Sequence, residues 1–271
     1  MVFGGVNLLL AFDIGNSSIS VGVFDITNRT SPKIICDFKL TSRDASADEY
    51  TIIIKDFLSR NISDCSQVTS AAISSVVPSL TDKFIRVANN ICNSQPFVVS
   101  CGIRTGFGIK IKNPEQLGTD IVSNVAAALN VISCPLAILD MGTATTITVV
   151  DADKNIIGTI IAPGVKIALD ALYMSAAQIS DVVLNGELEL IGNDTKSSVS
   201  SGIINGNALM IDGFIRNIRE ELGIKESGKK LNLVATGGLS ELILPHLRNK
   251  FDFDKNLTLK GLAVLYCKNH K

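Results

Sequence analysis

Apolar positions along this chain change their period in a regular order. Leu8-Leu9-Leu10-Ala11-Phe12 is a continuous apolar run closed by Asp13, and Ile19-Ser20-Val21-Gly22-Val23-Phe24-Asp25 alternates after it. The polar stretch Gly15-Asn16-Ser17-Ser18 between them predicts a tight turn joining two antiparallel strands. Lys33 to Leu40 alternates well enough for a third strand. Over Ala45 to Arg60 the spacing turns helical, through Tyr50, Ile53, Ile54, Phe57 and Leu58. Ser70 to Val77 then reads as a buried strand closing on Pro78, Ser79 to Ile91 as an amphipathic helix, and Phe97 to Val99 as a short strand. Thr105 to Lys112 predicts a loop with some extended structure, and Asn113-Pro114-Glu115 a turn or helix start. Leu117 to Val131 predicts a helix of small residues.

The scheme then begins again. Strands are predicted at 135–140, 145–151 and 156–162, followed by a helix over Val165–Gln178 and a polar loop over Gly186–Ser197. Ser198 to Leu222 predicts a long helix whose Gly202 and Gly206 would admit another backbone, within the domain or across a dimer. A strand at Leu231–Ala235, a turn at Thr236-Gly237-Gly238, and helices at 239–248 and Leu259–Lys268 complete the pattern. The order of elements is thus given twice, which predicts an α/β chain with domains over 1–130 and 131–271. The strongest sign of duplication is the turn itself. Asp13-Ile14-Gly15-Asn16 and Asp140-Met141-Gly142-Thr143 each end an apolar strand and open an alternating one.

Composition narrows the reading without redirecting it. At 271 residues, with 46% apolar and 19% charged residues and no Trp, the chain can bury a sizeable aliphatic core. A net charge of −1 and the lack of a Lys/Arg cluster argue against a nucleic-acid partner. Six scattered cysteines with no Cys-x-x-Cys pair argue against zinc, and with no signal peptide they are expected as cytoplasmic thiols. Asp13 ends the N-terminal apolar run too early for a targeting segment, and Asn124, Asn130 and Pro135 interrupt 121–140, so no membrane span is expected.

The chemistry is expected at the turns. Gly15 and Gly142 let backbone approach a ligand, while hydroxyls and N–H groups at Thr143, Thr145 and Thr146 suit phosphate oxygens. A cation beside Asp140 would balance phosphate charge. Gly237 and Gly238, after a buried strand and before a helix, could face a base or ribose, or could simply turn the chain. Asp120 at a helix start either complements the helix dipole or acts as a general base. Thr195 is a helix cap or a ligand hydroxyl, and His246 and His270 fit no triad or metal spacing.

Taken together, these residues resemble the type III pantothenate kinases, the Bvg accessory factor family of the acetate and sugar kinase/actin-like ATPase superfamily. The resemblance rests on Asp13-Ile-Gly-Asn, Ser74-Ser-Val-Val-Pro78, Asn113-Pro through Gly118-x-Asp120, Asp140-x-Gly-Thr-Ala-x-Thr146, Ile161-x-Pro-Gly164, Gly192-x-x-Thr195, Thr236-Gly-Gly238 and Leu259-x-Gly-Leu262. It implies a duplicated ribonuclease H-like (actin-like ATPase) fold in two domains with a central cleft, ATP in that cleft, Mg²⁺, a monovalent cation (K⁺ or NH₄⁺) and a homodimer. It implies phosphorylation of pantothenate, the first step towards coenzyme A. By match, Asp120 is the base and Asp140 the cation ligand. Asp13, Ile14, Gly15, Asn16, Ser17, Ser18, Ile19, Ser20, Thr143, Gly237 and Gly238 contact ATP. Gly118, Thr119, Asp120 and Ile121 contact pantothenate, with Thr195 contributed by the partner subunit.

One position departs from the family pattern with chemical consequence. The resemblance places an Arg after Gly-x-Asp, where this chain has Ile121, and an apolar side chain cannot pair with a carboxylate. Lys110 and Lys112 are the basic residues just upstream. Two alternatives therefore stand beside the kinase: a catalytically impaired regulatory or ligand-sensing relative, and a same-fold kinase for another small hydroxyl compound.

Overall fold

The computed structural model describes residues 7–175, 182, 184, 188–224 and 230–270. The chain forms two compact units, Met1–Gly108 with Lys112–Val131 and Asn256–Lys271, and Ile109–Ile111 with Ile132–Lys255.

In the first unit, β1 (Leu8–Ile14), β2 (Ser18–Asp25) and β3 (Lys33–Thr41) form an antiparallel meander. β4 (Val68–Ser75) pairs parallel to β1, and β5 (Phe97–Val98) parallel to β4. The resulting order is β3-β2-β1-β4-β5. Both faces of this sheet are covered, which is why Leu8 to Phe12 needs no polar alternation. Leu8, Leu10, Phe12 and Ile14 point into a cluster with Tyr50, Ile54 and Leu58 of α1 (Ala47–Asn61) and Leu80, Phe84 and Val87 of α2 (Pro78–Cys92). Leu9 and Ala11 point the other way, onto Val122 and Ala126 of α3 (Thr119–Val131) and Leu259, Leu262 and Ala263 of the last helix. Each of the large side chains on this strand contributes about 1.5–3 kcal/mol on burial.

The second unit repeats this sheet. β7 (Leu136–Met141), β8 (Ala144–Val150) and β9 (Asn155–Pro163) form the meander, and β10 (Asn232–Thr236) and β11 (Asp252–Phe253) add in parallel beyond β7. The order β11-β10-β7-β8-β9 matches the first sheet strand for strand, with β6 (Gly108–Ile109) added at the outer edge of β9. The duplicated ribonuclease H-like fold expected from the sequence is present. One face packs α4 (Val165–Ser175), α5 (Thr195–Glu221) and α6 (Ser240–Ile243) around Leu139, Met141, Ile147, Ile204, Ile211 and Ile243. The last helix, α7 (Leu257–Asn269), follows the second sheet in sequence and packs in the first unit. It lies so close to α3 that a side chain at Gly261 would strike the Ser123 carbonyl, and Thr258 donates to Asn124 Oδ1 at 2.8 Å.

Several element ends differ from those the periodicity predicts. Helix α3 starts at Thr119, two residues later than expected, because Pro114–Gln116 forms a separate 3-10 turn. Helix α5 starts at Thr195, three residues early, because Asp194 and Ser197 form a reciprocal capping box that the apolar pattern cannot register. The helix expected over 239–248 is instead the four-residue α6 and a 3-10 turn at Leu244–His246. Pro245 lacks an N–H and opposes α conformation before it, which ends the helix. Helix α4 is described to Ser175; the remainder of the expected helix, 176–178, and the first two residues of the loop, 186–187, lie outside the described residues.

Candidate active site

In the first unit, Asp13 pairs in register with Ser20 on β2 and Ser74 on β4. By strand alternation all three lie on the face that carries α3 and α7, since Ala11 and Ala72 point there. The turn after Asp13 is braced from both ends. Gly15 N–H donates to the Ser18 carbonyl at 3.0 Å, and Ser42, just beyond β3, donates its hydroxyl to the Gly15 carbonyl at 2.6 Å. Asn16 and Ser17 are left exposed at the tip. Ile14 and Ile19 are fully buried in the core, so what these two offer a ligand is main chain.

Asp120 occupies the first turn of α3, where its charge complements the helix dipole. Glycine before that helix leaves room for the Asp120 carboxylate, which a Cβ at 118 would push aside. Ile121 N–H donates to Asp120 Oδ1 at 2.8 Å, while Ile121 Cδ1 lies beside Gly118. Burial pushes the Asp120 carboxyl above its ordinary value, and the Ile121 N–H opposes that shift without cancelling it. Thr119 faces the end of β4: its Oγ1 is 2.9 Å from Ser74 Oγ, accepts from Ser75 N–H at 3.1 Å and donates to the Ser75 carbonyl at 3.2 Å. The first unit thus brings the Asp13 turn, Ser74 and the start of α3 together.

In the second unit, Asp140 pairs with Thr146 on β8 and Thr236 on β10, the counterparts of Ser20 and Ser74. Here the turn is surrounded by backbone. Gly142 N–H donates to the Ala144 carbonyl at 3.0 Å. A side chain at Gly164 would strike the Gly142 and Thr143 carbonyls, and one at Gly237 would strike the Met141 main chain. Gly237 also has φ of +94°, a conformation that glycine adopts without strain, and Leu239 N–H donates to the Met141 carbonyl at 3.2 Å. Thr145 Oγ1 is buried with no hydrogen-bond partner. Gly238 follows in the same turn, and Thr195 is the exposed first residue of α5, with Asp194 as the cap. Lys110 reaches Asp151 Oδ2 at 3.9 Å in the second unit.

Sequence reasoning passed over Ser42 and the bonds that Thr119 makes to Ser74 and Ser75, while it did name the Thr145 hydroxyl. Ser42 had no signal, because it lies between elements. Among the described residues no group of three or more His, Cys, Asp or Glu side chains could hold a metal.

Comparison with known proteins completes this picture. Residues 9–217 match the family model described as type III pantothenate kinase. The chain belongs to the type III pantothenate kinase family. A type III pantothenate kinase of Shouchella clausii is 34% identical over 97% of this chain and 100% of its own, and one of Acholeplasma laidlawii is 35% identical over the same shares. Two solved structures share the fold. A putative Baf family transcriptional activator from Campylobacter jejuni is similar with a TM-score of 0.56 and 20% identity over 96% of this chain and 98% of that one. The ethanolamine utilization protein EutJ from Carboxydothermus hydrogenoformans is similar with a TM-score of 0.54 and 13% identity, over 98% and 94%. The family model ends at residue 217, short of Gly237 and Gly238, whereas the curated family members extend past them.

Proposed function

We propose that the protein is a kinase that transfers the γ-phosphoryl group of ATP to the terminal hydroxyl of pantothenate, giving 4′-phosphopantothenate and ADP. The observation that carries this reading is Asp120, a carboxylate with a raised pKa at the head of α3, in a chain of this family. In the proposed step Asp120 accepts the hydroxyl proton as the oxygen attacks the γ-phosphorus and the bond to the β,γ-bridging oxygen breaks. A base contributes about 10²–10⁴-fold, and positioning of the phosphates supplies much of the remainder. The raised pKa helps, since a base is most effective when its pKa lies near the working pH.

The Asp13 to Ser20 stretch, Thr143, Gly237 and Gly238 are the proposed ATP contacts. The cramped glycines at 164 and 237 support a backbone-lined phosphate turn around Gly142 and Thr143. Asp140 is the proposed ligand for Mg²⁺ or for K⁺ or NH₄⁺, which would neutralise phosphate charge. Carboxylate and threonine oxygens are the hard donors such ions prefer, and Mg²⁺ commonly relies on one or two carboxylates with phosphate and water. Gly118, Ile121 and Thr195 are proposed to line the pantothenate side.

A homodimer is also proposed. Met174 is 89% and Leu209 56% exposed on α4 and α5, and the spaces beside Gly202, Gly206 and Gly213 are empty in the single chain. A soluble monomer rarely exposes such a stretch. A cytoplasmic site of action accords with the six unpaired cysteines and with the finding that no helix among the described residues is long and apolar enough to cross a membrane.

The deciding experiment supplies purified protein with ATP, pantothenate, Mg²⁺ and K⁺ and measures phosphopantothenate. Stoichiometric ADP and phosphopantothenate are expected; nucleotide binding with no phosphoryl transfer would refute the kinase reading. Light scattering of the same sample should return twice the chain mass.

A further inference from the structure

Thr119 sits between Gly118, which makes room for the Asp120 carboxylate, and Asp120 itself. A hydroxyl has one proton to donate and two lone pairs to accept with. At Thr119 this capacity is filled. The Ser75 carbonyl and Ser75 N–H bond it from one side at 3.2 and 3.1 Å, and Ser74 Oγ lies 2.9 Å away. Ser74 is fully buried, so that end of the knot is shielded from water. The same residue is held from the helix side, because Ser123 donates its hydroxyl to the Thr119 carbonyl at 2.8 Å. The first turn of α3 is therefore tied to the end of β4, one residue from the carboxylate and in register with Asp13 on the neighbouring strand.

We infer that Thr119 is a positioning residue that acts through Asp120, fixing the carboxylate by anchoring the start of α3 to Ser74 and Ser75, and that its hydroxyl makes no contact with the acceptor substrate. This deepens the proposed kinase reading and rests on it for Asp120's role. Its geometry stands separately: a saturated hydroxyl has nothing left to offer a ligand, and an apolar residue of equal size would remove the anchor alone.

The test compares the intact wild-type protein with Thr119→Val and Thr119→Ser. Valine keeps the volume and removes the three bonds; serine keeps the hydroxyl. Thr119→Val is expected to lower kcat about tenfold to a hundredfold, the scale of a slightly misplaced catalytic group, while KM for pantothenate changes less than about twofold. Thr119→Ser should recover most of the rate. A raised KM with kcat unchanged would overturn the inference and make Thr119 a substrate contact, and unchanged kinetics in Thr119→Val would overturn it outright. A second readout needs no turnover. Carbon NMR of the Asp120 carboxyl should show its raised pKa falling towards the ordinary carboxylate value in Thr119→Val and staying raised in Thr119→Ser. If wild-type protein phosphorylates no pantothenate, the kinase reading fails, and the NMR comparison still decides whether Thr119 holds Asp120. An unaltered Asp120 pKa in Thr119→Val would then refute the anchor.

Discussion

The two repeats place the same Asp-x-Gly turn at the end of the same central strand, yet they surround it differently. In the first, the strand beside Asp13 ends in Ser74 and Ser75, whose polar atoms hold Thr119 and so the Asp120 carboxylate. In the second, the strand beside Asp140 ends in Thr236, and the residue that follows is Gly237, pressed on the Met141 backbone at positive φ. One repeat has invested its sequence in side chains that hold a titratable group; the other in glycines that bring main chain together. Duplication of topology therefore need not duplicate chemistry, and substitutions at matching places should fail in different ways.

The largest difference is expected at Asp120. Asp120→Asn should lower kcat about 10²–10⁴-fold, read from steady-state phosphopantothenate formation. The same change should leave stability at neutral pH unharmed or improved. The sign follows from the raised pKa: a carboxyl whose folded pKa exceeds its unfolded one contributes stability below the unfolded pKa, and that contribution is lost as pH rises through the folded value. Asparagine removes the penalty of ionising there. Wild-type kcat should accordingly rise with pH along an acid limb above the ordinary aspartate value, and thermal melts of Asp120→Asn should match or exceed wild type at pH above that limb. A stable wild type with its acid limb at the ordinary carboxylate value would break the comparison.

Two glycine-to-alanine changes sharpen it next. Gly237→Ala meets fixed backbone and an unfavourable φ, so a loss of about 1–3 kcal/mol from strain alone is expected, read by chemical denaturation. Gly118→Ala meets a side-chain oxygen that can rotate away, so stability should move by less than about 1 kcal/mol. The displaced Asp120 should nevertheless reduce kcat about tenfold or more. A stability loss at 237 accompanied by weaker ATP binding, against a kcat loss with little stability change at 118, is the expected pair; equal stability losses would erase the distinction between the repeats.

Much of this was legible in the chain because it is written in local pattern. The runs at Leu8 to Phe12 and Leu136 to Leu139, each closed by Asp-x-Gly, fixed the two central strands and their turns, and the α/β alternation followed. What could not be read were contacts distant in sequence. Ser42 braces Gly15 from 27 residues away, and Thr119 meets Ser75 across 44. The placement of α7 on α3 was equally hidden, since Gly261 and Thr258 have no signal until Ser123 and Asn124 face them. Pro245 was visible and underweighted: helical spacing over 239–248 is real, but a missing N–H overrides it.

The smallest contrast lies at two capping boxes, one in each repeat. Ser46 accepts from Glu49 N–H at 3.1 Å at the start of α1, and Asp194 accepts from Ser197 N–H at 2.7 Å at the start of α5. Ser46→Ala should cost about 0.5–2 kcal/mol, the usual worth of an N-cap, in urea unfolding followed by circular dichroism. Asp194→Ala should also destabilise, with a pH dependence carried by the cap itself, whereas at α1 the titrating group is the partner Glu49, whose carboxyl the Ser46 N–H and hydroxyl hold below its ordinary value. The Ser197 N–H and hydroxyl hold the Asp194 carboxyl below its ordinary value. Its contribution is therefore present above the unfolded pKa and is lost as pH falls through the folded one. The gap between wild type and Asp194→Ala should close with acidification, while the gap for Ser46→Ala should narrow only in part, because Ser46 Oγ still accepts from the Glu49 N–H after the Glu49 carboxyl is protonated. A parallel narrowing for both variants would mean that acid loosens the two helix starts alike, and that the cap chemistry does not distinguish them.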